Sequence, residues 1–295
     1  MDLEKFEIIK NGKGFIAALD QSGGSSAKTL ELYGICKNEY HGDCEMFNLI
    51  HDMRTRIIKS TSFTNQKILG VILFEETMNR KIDDLYTADY LWNSKKIVPF
   101  LKVDKGLEKE KDGVQLMKPM PNLLDTLDLA RNKNIFGTKM RSVISSDNRV
   151  GIEKIVEQQF VLAKTICSKG LVPIIEPEVS ITSPVKEKCE VILKEIILKK
   201  LNELDDDEKV MFKFSIPTIP NFYQEIINHK NVVRVVALSG GYSKSDACLK
   251  LSENNNMIAS FSRALLEGLK VSDTQSEFDL KLEKSINDIY EASIK

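Results

Sequence analysis

A chain of 295 residues, 42% hydrophobic and 29% charged, has the make-up of a globular enzyme with a sizeable core, which sets aside disordered and fibrous classes. Its 42 basic and 43 acidic residues leave a net charge of −1, so no global field favours nucleic acid or an anionic membrane. No apolar stretch approaches membrane-spanning length, the amphipathic N-terminus lacks a signal core, and five cysteines without a CxxC pair fit reduced thiols, so a cytoplasmic setting is expected.

In chain order, the pattern predicts a short helix ending at Asn11-Gly12 and then an apolar run, Phe15 to Leu19, that ends in Asp20. Helical stretches near residues 27–33 and 43–59 lead to a second run, Ile68 to Phe74, ending in Glu75. The run from Ile97 to Leu101 leads into Lys102 and Asp104, and the run opening at Ile135 carries Lys139 and Arg141. A helix is predicted from Ile152 to Lys169, with Ile152, Ile155, Val156, Phe160, Ala163, Ile166 and Cys167 at three- and four-residue steps and Gly170 as its stop. The next run, Leu171 to Ile175, carries Glu176 and Glu178, and a charge-laced helix follows over residues 184–204. Lys213 lies inside the run that starts at Val210 and is stopped by Pro217. Val232 to Leu238 ends at Ser239, and Met257 to Phe261 leads to Arg263, with helices expected over residues 242–254 and 275–293.

Eight short apolar runs, each ending in polar residues and separated by helical sequence, imply right-handed βαβ units and a parallel sheet. Eight such units closing on themselves give a (β/α)8 barrel, here expected as one domain over residues 1–295 with an N-terminal and a C-terminal helix. Active sites of such barrels lie at the C-terminal strand ends. Residues at i and i+2 share a strand face, so Lys102 with Asp104, Lys139 with Arg141, and Glu176 with Glu178 should converge on the mouth.

Within that ring Lys213 is the most informative residue. An ammonium in an apolar strand is costly to desolvate, which favours the free amine, the usual nucleophile for forming a Schiff base with a carbonyl. Its bland counterpart is a lysine snorkelling from a strand end. Glu176 and Glu178 suit a proton donor and acceptor whose pKa values are driven apart, or equally a structural ion-pair network. Asp20, at a strand end before a tight turn, is either a carboxylate of the site or a helix cap. Ser239-Gly240-Gly241 after the seventh run, with Arg263 after the eighth, has the make-up of an anion cradle where barrels often bind phosphate. A second small-residue turn, Ser22 to Ser25, would hold another phosphate, and two phosphates on one mouth suit a sugar bisphosphate. The three histidines lack metal-ligand spacing, so no metal site is expected.

These stretches resemble the class I fructose-1,6-bisphosphate aldolase family in its shorter bacterial form, from about residue 9 to residue 292. The resemblance is carried by Gly14-Phe-Ile-Ala-Ala-Leu-Asp-Gln-Ser-Gly-Gly-Ser25, Phe100-Leu-Lys-Val-Asp-Lys-Gly106, Phe136-Gly-Thr-Lys-Met-Arg-Ser142, Val172-Pro-Ile-Ile-Glu-Pro-Glu178, Phe212-Lys213, Leu238-Ser-Gly-Gly241 and Ser260-Phe-Ser-Arg-Ala-Leu265. It implies reversible cleavage of fructose 1,6-bisphosphate to dihydroxyacetone phosphate and glyceraldehyde 3-phosphate, in glycolysis and gluconeogenesis, with no cofactor. Lys213 then resembles the Schiff-base nucleophile, Glu176 the acid/base of carbinolamine dehydration, and Asp20 the base for the C4 hydroxyl. Lys139 would lie beside Lys213 and hold it unprotonated by repulsion, with Glu178 and Arg141 in support. Ser239, Gly240, Gly241 and Arg263 resemble the phosphate site nearer the ketone, and Ser22, Ser25 and Lys102 the far one.

The chain departs from the animal pattern at Gln21, where an acidic residue is usual, at Met140 for tryptophan, and at Ser262 for glycine. It ends Tyr290-Glu-Ala-Ser-Ile-Lys295, and Tyr290 is not assigned the role of the animal C-terminal tyrosine. Two other functions fit the same motifs: a ketose-bisphosphate aldolase that also takes tagatose 1,6-bisphosphate, and a non-catalytic phosphosugar-binding barrel. The expected partner is the small-molecule sugar bisphosphate, with neither nucleic acid nor membrane. A homo-oligomer stays open, because outer barrel faces read alike whether they meet solvent or a second copy.

Overall fold

The computed structural model describes residues 2–295. Eight parallel strands form its main sheet: β1 (Phe15–Leu19), β2 (Ile68–Leu73), β3 (Val98–Lys102), β4 (Gly137–Ile144), β5 (Val172–Val179), β6 (Val210–Ser215), β7 (Val232–Leu238) and β8 (Met257–Ala259). Each pairs with its neighbours in sequence order, and the Ala18 N–H donates to the Phe261 carbonyl at 3.3 Å across the seam between β8 and β1. The result is a nearly closed TIM barrel, with all eight expected strands in place. Eight helices of eight residues or more accompany them: α1 (Leu3–Asn11), α2 (Gly24–Tyr33), α3 (Gly42–Lys59), α4 (Leu123–Asn132), α5 (Arg149–Ser168), α6 (Lys186–Leu201), α7 (Lys244–Leu251) and α8 (Gln275–Ser293).

Strand alternation sorts the core into two shells. Ile16, Ala18, Ile72, Val98, Phe100, Val172, Ile174, Met211, Val236 and Ile258 belong to one apolar cluster that fills the barrel. The intervening positions, among them Ala17, Leu19, Leu73, Leu101, Ile175, Phe212 and Phe214, face the helices in a larger cluster. Inward parity then carries Ile16 and Ala18 on to Asp20, Phe100 to Lys102, Ile174 to Glu176 and Met211 to Lys213. The barrel is therefore apolar through its lower layers and charged at its mouth.

Helix α1 seals the opposite end. Ile9 joins the interior cluster, and inside β7 Arg234 caps the helix, donating from Nε to the Ile9 carbonyl at 2.9 Å and from Nη2 to Gly12 at 2.8 Å. These contacts satisfy carbonyls that a helix C-terminus leaves unpaired. Helix α8 closes the seam from outside, since the Ala259 N–H donates to Ser293 Oγ at 3.0 Å. Tyr290 packs its ring near Lys67, at the N-terminal end of β2, on the side away from the mouth.

Beyond helix α4 and several one-turn helices, which the sequence pattern does not specify, two strand pieces have no counterpart in it. Residues 81–82 and 85–86 form a two-stranded antiparallel hairpin, and Val114–Gln115 adds antiparallel to the end of β4. Both are two-residue strands, too short to show a period. The helix after β7 also starts later than expected. It opens at Lys244 with the Ser243 side chain as its N-cap, so Ser239-Gly240-Gly241 forms a loop before it.

Candidate active site

At the mouth, four buried charged side chains form a chain of contacts. Lys213 Nζ lies 3.3 Å from Glu176 Oε1, Lys139 Nζ lies 2.5 Å from Glu176 Oε2, and Lys139 Nζ donates to Asp20 Oδ2 at 3.0 Å. All four are at most 8% exposed. Buried charges are stable only when paired, and here each has an opposite partner. The Lys139–Glu176 contact is a charge contact without hydrogen-bond alignment, and Glu176 Oε2 has no aligned donor. That oxygen is the one under-satisfied member of the chain.

Electrostatics separates the roles. Burial alone would raise the Asp20 carboxyl, but Lys139, then Lys213 and Lys102, outweigh it and hold the group well below the usual carboxylate range. Burial alone would lower Lys139, but Asp20, Glu176 and Asp104 raise it above the ordinary lysine value. Asp20 is thus an anion, able to accept a proton, and Lys139 a cation. Lys139 bridges two carboxylates, and it reaches Lys213 through their shared partner Glu176 rather than standing as an unpaired neighbouring charge.

Around this chain runs a rim of ion pairs made by residues that the i, i+2 parity brings to the mouth. Arg141 Nε pairs with Glu178 Oε2 across β4 and β5, and Lys102 folds back onto Asp104, donating to its carbonyl at 2.7 Å and approaching Oδ1 at 2.8 Å. Asp104 Oδ2 is buried and unpartnered. A cavity of about 480 Å³ opens over the mouth, lined by Asp20, Ser22, Ser25, Lys102, Lys139, Arg141, Glu176, Glu178, Lys213, Ser239, Gly240 and Arg263. Its size suits a drug-sized or sugar-phosphate ligand. Gly241 lines an adjoining cavity that shares Ser239 and Arg263.

The two loops expected to hold phosphate differ in build. Gly240 has φ +61°, and a Cβ there would meet Ile181 Cγ2 at 2.7 Å, so both conformation and space require glycine. A guanidinium nitrogen of Arg263 lies 3.8 Å from where a Gly241 Cβ would stand, which puts the arginine over the loop. On the other side, Ser22 and Ser25 are tied to each other: the Ser22 N–H donates to Ser25 Oγ at 2.9 Å, and that hydroxyl donates to the Ser22 carbonyl at 2.7 Å. The structure therefore places the site residues expected from sequence around one mouth, all but Gly241 on the same cavity.

It also supplies residues that the sequence reading passed over. Gln159, on α5, donates to Ser142 Oγ at 2.9 Å and to the Glu176 carbonyl at 3.3 Å, which fixes β4 and β5 beside the acid. Arg54, on α3, is completely buried under the loops after β1 and β2. Both had a signal available: a polar residue at apolar helix spacing, Gln159 between Val156 and Phe160, Arg54 between Ile50 and Ile57. Lys28 and Ser260 also line the cavity. Among the described residues, no cluster of three His, Cys, Asp or Glu side chains is placed to hold a metal ion, and no helix is long and apolar enough to cross a membrane.

Comparison with known proteins gives the same picture on independent grounds. The family model for the glycolytic fructose-bisphosphate aldolase class-I matches residues 4–221. The chain is 60% identical over 294 residues to the fructose-bisphosphate aldolase class 1 of Clostridium acetobutylicum, covering all of both chains. Among solved structures, the fructose-bisphosphate aldolase of Plasmodium falciparum matches with a TM-score of 0.75 at 21% identity, over 98% of this chain and 92% of that one. An archaeal fructose-1,6-bisphosphate aldolase, its catalytic lysine bound to the carbinolamine intermediate, matches with a TM-score of 0.53 at 11% identity, over 97% of this chain and 98% of that one. At these identities the two structures speak to the fold.

Proposed function

The chain belongs to the class I fructose-bisphosphate aldolase family, and we propose that its buried chain Lys213–Glu176–Lys139–Asp20 carries out the cleavage. As a class I fructose-bisphosphate aldolase it splits fructose 1,6-bisphosphate reversibly into dihydroxyacetone phosphate and glyceraldehyde 3-phosphate, through a Schiff base on lysine. The whole-chain identity favours this activity over a ketose-bisphosphate aldolase that also takes tagatose 1,6-bisphosphate or a non-catalytic phosphosugar-binding barrel.

In our assignment the Lys213 amine attacks the C2 ketone, and Glu176, 3.3 Å away, delivers and removes protons as the carbinolamine loses water. The protonated imine draws electrons from the C3–C4 bond while Asp20 takes the C4 hydroxyl proton. Glyceraldehyde 3-phosphate leaves, the enamine takes a proton at C3, and water releases dihydroxyacetone phosphate from Lys213. Lys139 holds Asp20 ionised and contacts both carboxylates, which fixes their positions, and the Arg141–Glu178 pair frames the rim. Ser239, Gly240, Gly241 and Arg263 take the phosphate nearer the ketone, and Ser22, Ser25 and Lys102 the far one. The imine serves as electron sink, so the reaction requires no metal or other cofactor. We further assign the 295 residues to one catalytic domain acting in the cytoplasm on a small sugar bisphosphate, with no nucleic-acid or membrane partner.

The buried contact between Lys213 and Glu176 carries this reading. Borohydride reduction in the presence of dihydroxyacetone phosphate should leave a stable adduct on Lys213, located by peptide mass spectrometry; an unmodified Lys213 would overturn it. Chelation with EDTA should leave turnover intact, and inactivation reversed by zinc would contradict the mechanism. Arg263→Ala removes a charge-assisted contact, so KM for the bisphosphate should rise by one to two orders of magnitude, by about 1.5–3 kcal/mol of lost binding, with a smaller change in kcat. Equal loss on an unphosphorylated substrate would make Arg263 structural.

A further inference from the structure

The seam between β8 and β1 is where the barrel has least backbone pairing, and Arg263 sits just beyond it. Of the pairing across that seam, the Ala18 to Phe261 bond at 3.3 Å is long. A side-chain relay spans the same gap. Gln21 Nε2 donates to Ser262 Oγ at 2.6 Å, linking the loop after β1 to the residue that precedes Arg263. Gln21 is itself 8% exposed and held from below. Arg54 Nη2 donates to its main-chain carbonyl at 2.7 Å and to its Oε1 at 3.0 Å, while Nη1 donates to Thr77 Oγ1 at 2.6 Å in the turn after β2.

We propose that Arg54, Gln21 and Ser262 form a positioning relay that fixes the Arg263 loop for phosphate, with Gln21 as its adjustable link. The relay rests on the assignment of Arg263 to the substrate phosphate. Three features argue for it. Arg54 is a completely buried guanidinium whose hydrogen bonds go to Gln21 and Thr77, and these bonds, with the nearby Asp20 charge, offset the cost of its burial while orienting Gln21. An amide at position 21 is suited to the geometry, since its oxygen accepts from Arg54 while its nitrogen donates onward to Ser262. The loop is also in need of an anchor, because Arg263 is exposed and opens a helical turn of only four residues. Gln21 and Ser262 line the cavity beside Arg263 and Arg54 lies beneath them, so in this proposal their effect passes through Arg263.

The test is a double-mutant cycle on the intact enzyme, with Gln21→Met and Ser262→Ala, read by KM and kcat for fructose 1,6-bisphosphate and by competitive inhibition with inorganic phosphate. Each single variant should raise KM and the phosphate inhibition constant about five- to tenfold, the effect of one lost hydrogen bond, with kcat little changed. The double variant should be no worse than the weaker single, and Ser262→Thr, which keeps the hydroxyl, should stay near wild type in both fold and phosphate affinity. In an Arg263→Ala background, Gln21→Met should add nothing further to the phosphate constant. Additive losses in the double variant, or a loss confined to kcat, would overturn the relay while leaving the phosphate site standing. If Arg263→Ala alone leaves phosphate inhibition unchanged, the phosphate assignment falls, and the relay falls with it.

Discussion

Lys213→Ala is expected to lose fructose 1,6-bisphosphate cleavage by several orders of magnitude, as covalent-catalysis knockouts do, and to give no borohydride adduct with dihydroxyacetone phosphate. Nothing nearby can replace the amine. Lys139 is the neighbouring candidate, but its Asp20 and Glu176 partners raise it above the ordinary lysine value and keep it protonated. The variant should also fold. Glu176 would retain Lys139 at 2.5 Å, so removing Lys213 does not strand an unpaired buried carboxylate, the situation that destabilises most. Circular dichroism and thermal unfolding separate loss of chemistry from loss of structure. Turnover near the wild-type rate in a folded Lys213→Ala protein would end the Schiff-base assignment.

Asp20→Asn should separate the two halves of the reaction. The substitution is nearly isosteric, and the N-cap of α2 is Gly23 rather than Asp20, so what it removes is the Asp20 charge that pairs with Lys139. Asp20 does not contact Lys213 directly; it reaches the chain through Lys139 at 3.0 Å. Imine formation should therefore persist, with borohydride trapping retained, while cleavage falls by about 10²–10⁴-fold, the scale of a lost general base. Normal turnover would reduce Asp20 to a structural residue, and loss of trapping in a folded variant would place it in imine formation. Stability gives a second reading. Because Lys139, Lys213 and Lys102 outweigh burial and lower the folded-state value, the ionised carboxylate stabilises the fold above the unfolded pKa of about 3.9, and this is lost as the pH falls through the folded value. Relative to Asp20→Asn, the wild type should gain stability as the pH rises through that window.

The sheet was legible in the sequence for a local reason. Each barrel strand is a short apolar run buried on both faces, bounded by turn residues, and such runs announce themselves without knowledge of their neighbours. The mouth was legible for the same reason one step further on. Alternation along a strand places Lys139 with Arg141 and Glu176 with Glu178 whatever the rest of the chain does. Glycine at 240 was legible as a loop signal, although the helix it was expected to open begins only at Lys244. The two-residue strands at 81–86 and 114–115 were not legible, because a strand that short has no period.

What the sequence determined by itself is the barrel, its polarity and the charged residues at its C-terminal end, since all three follow from patterns within single strands. What only the tertiary structure decided is who meets whom across the mouth. Asp20 and Lys139 stand 119 positions apart, and Gln21 and Ser262 stand 241 apart. Their contacts depend on barrel closure, which brings β1 across the mouth from β4 and beside β8 and which no local pattern encodes. The same holds for Arg54, which is buried where the loops after β1 and β2 close over one helix face. Local periodicity reports how a segment presents its side chains, whereas partners across a closed barrel are set by the register of all eight strands together.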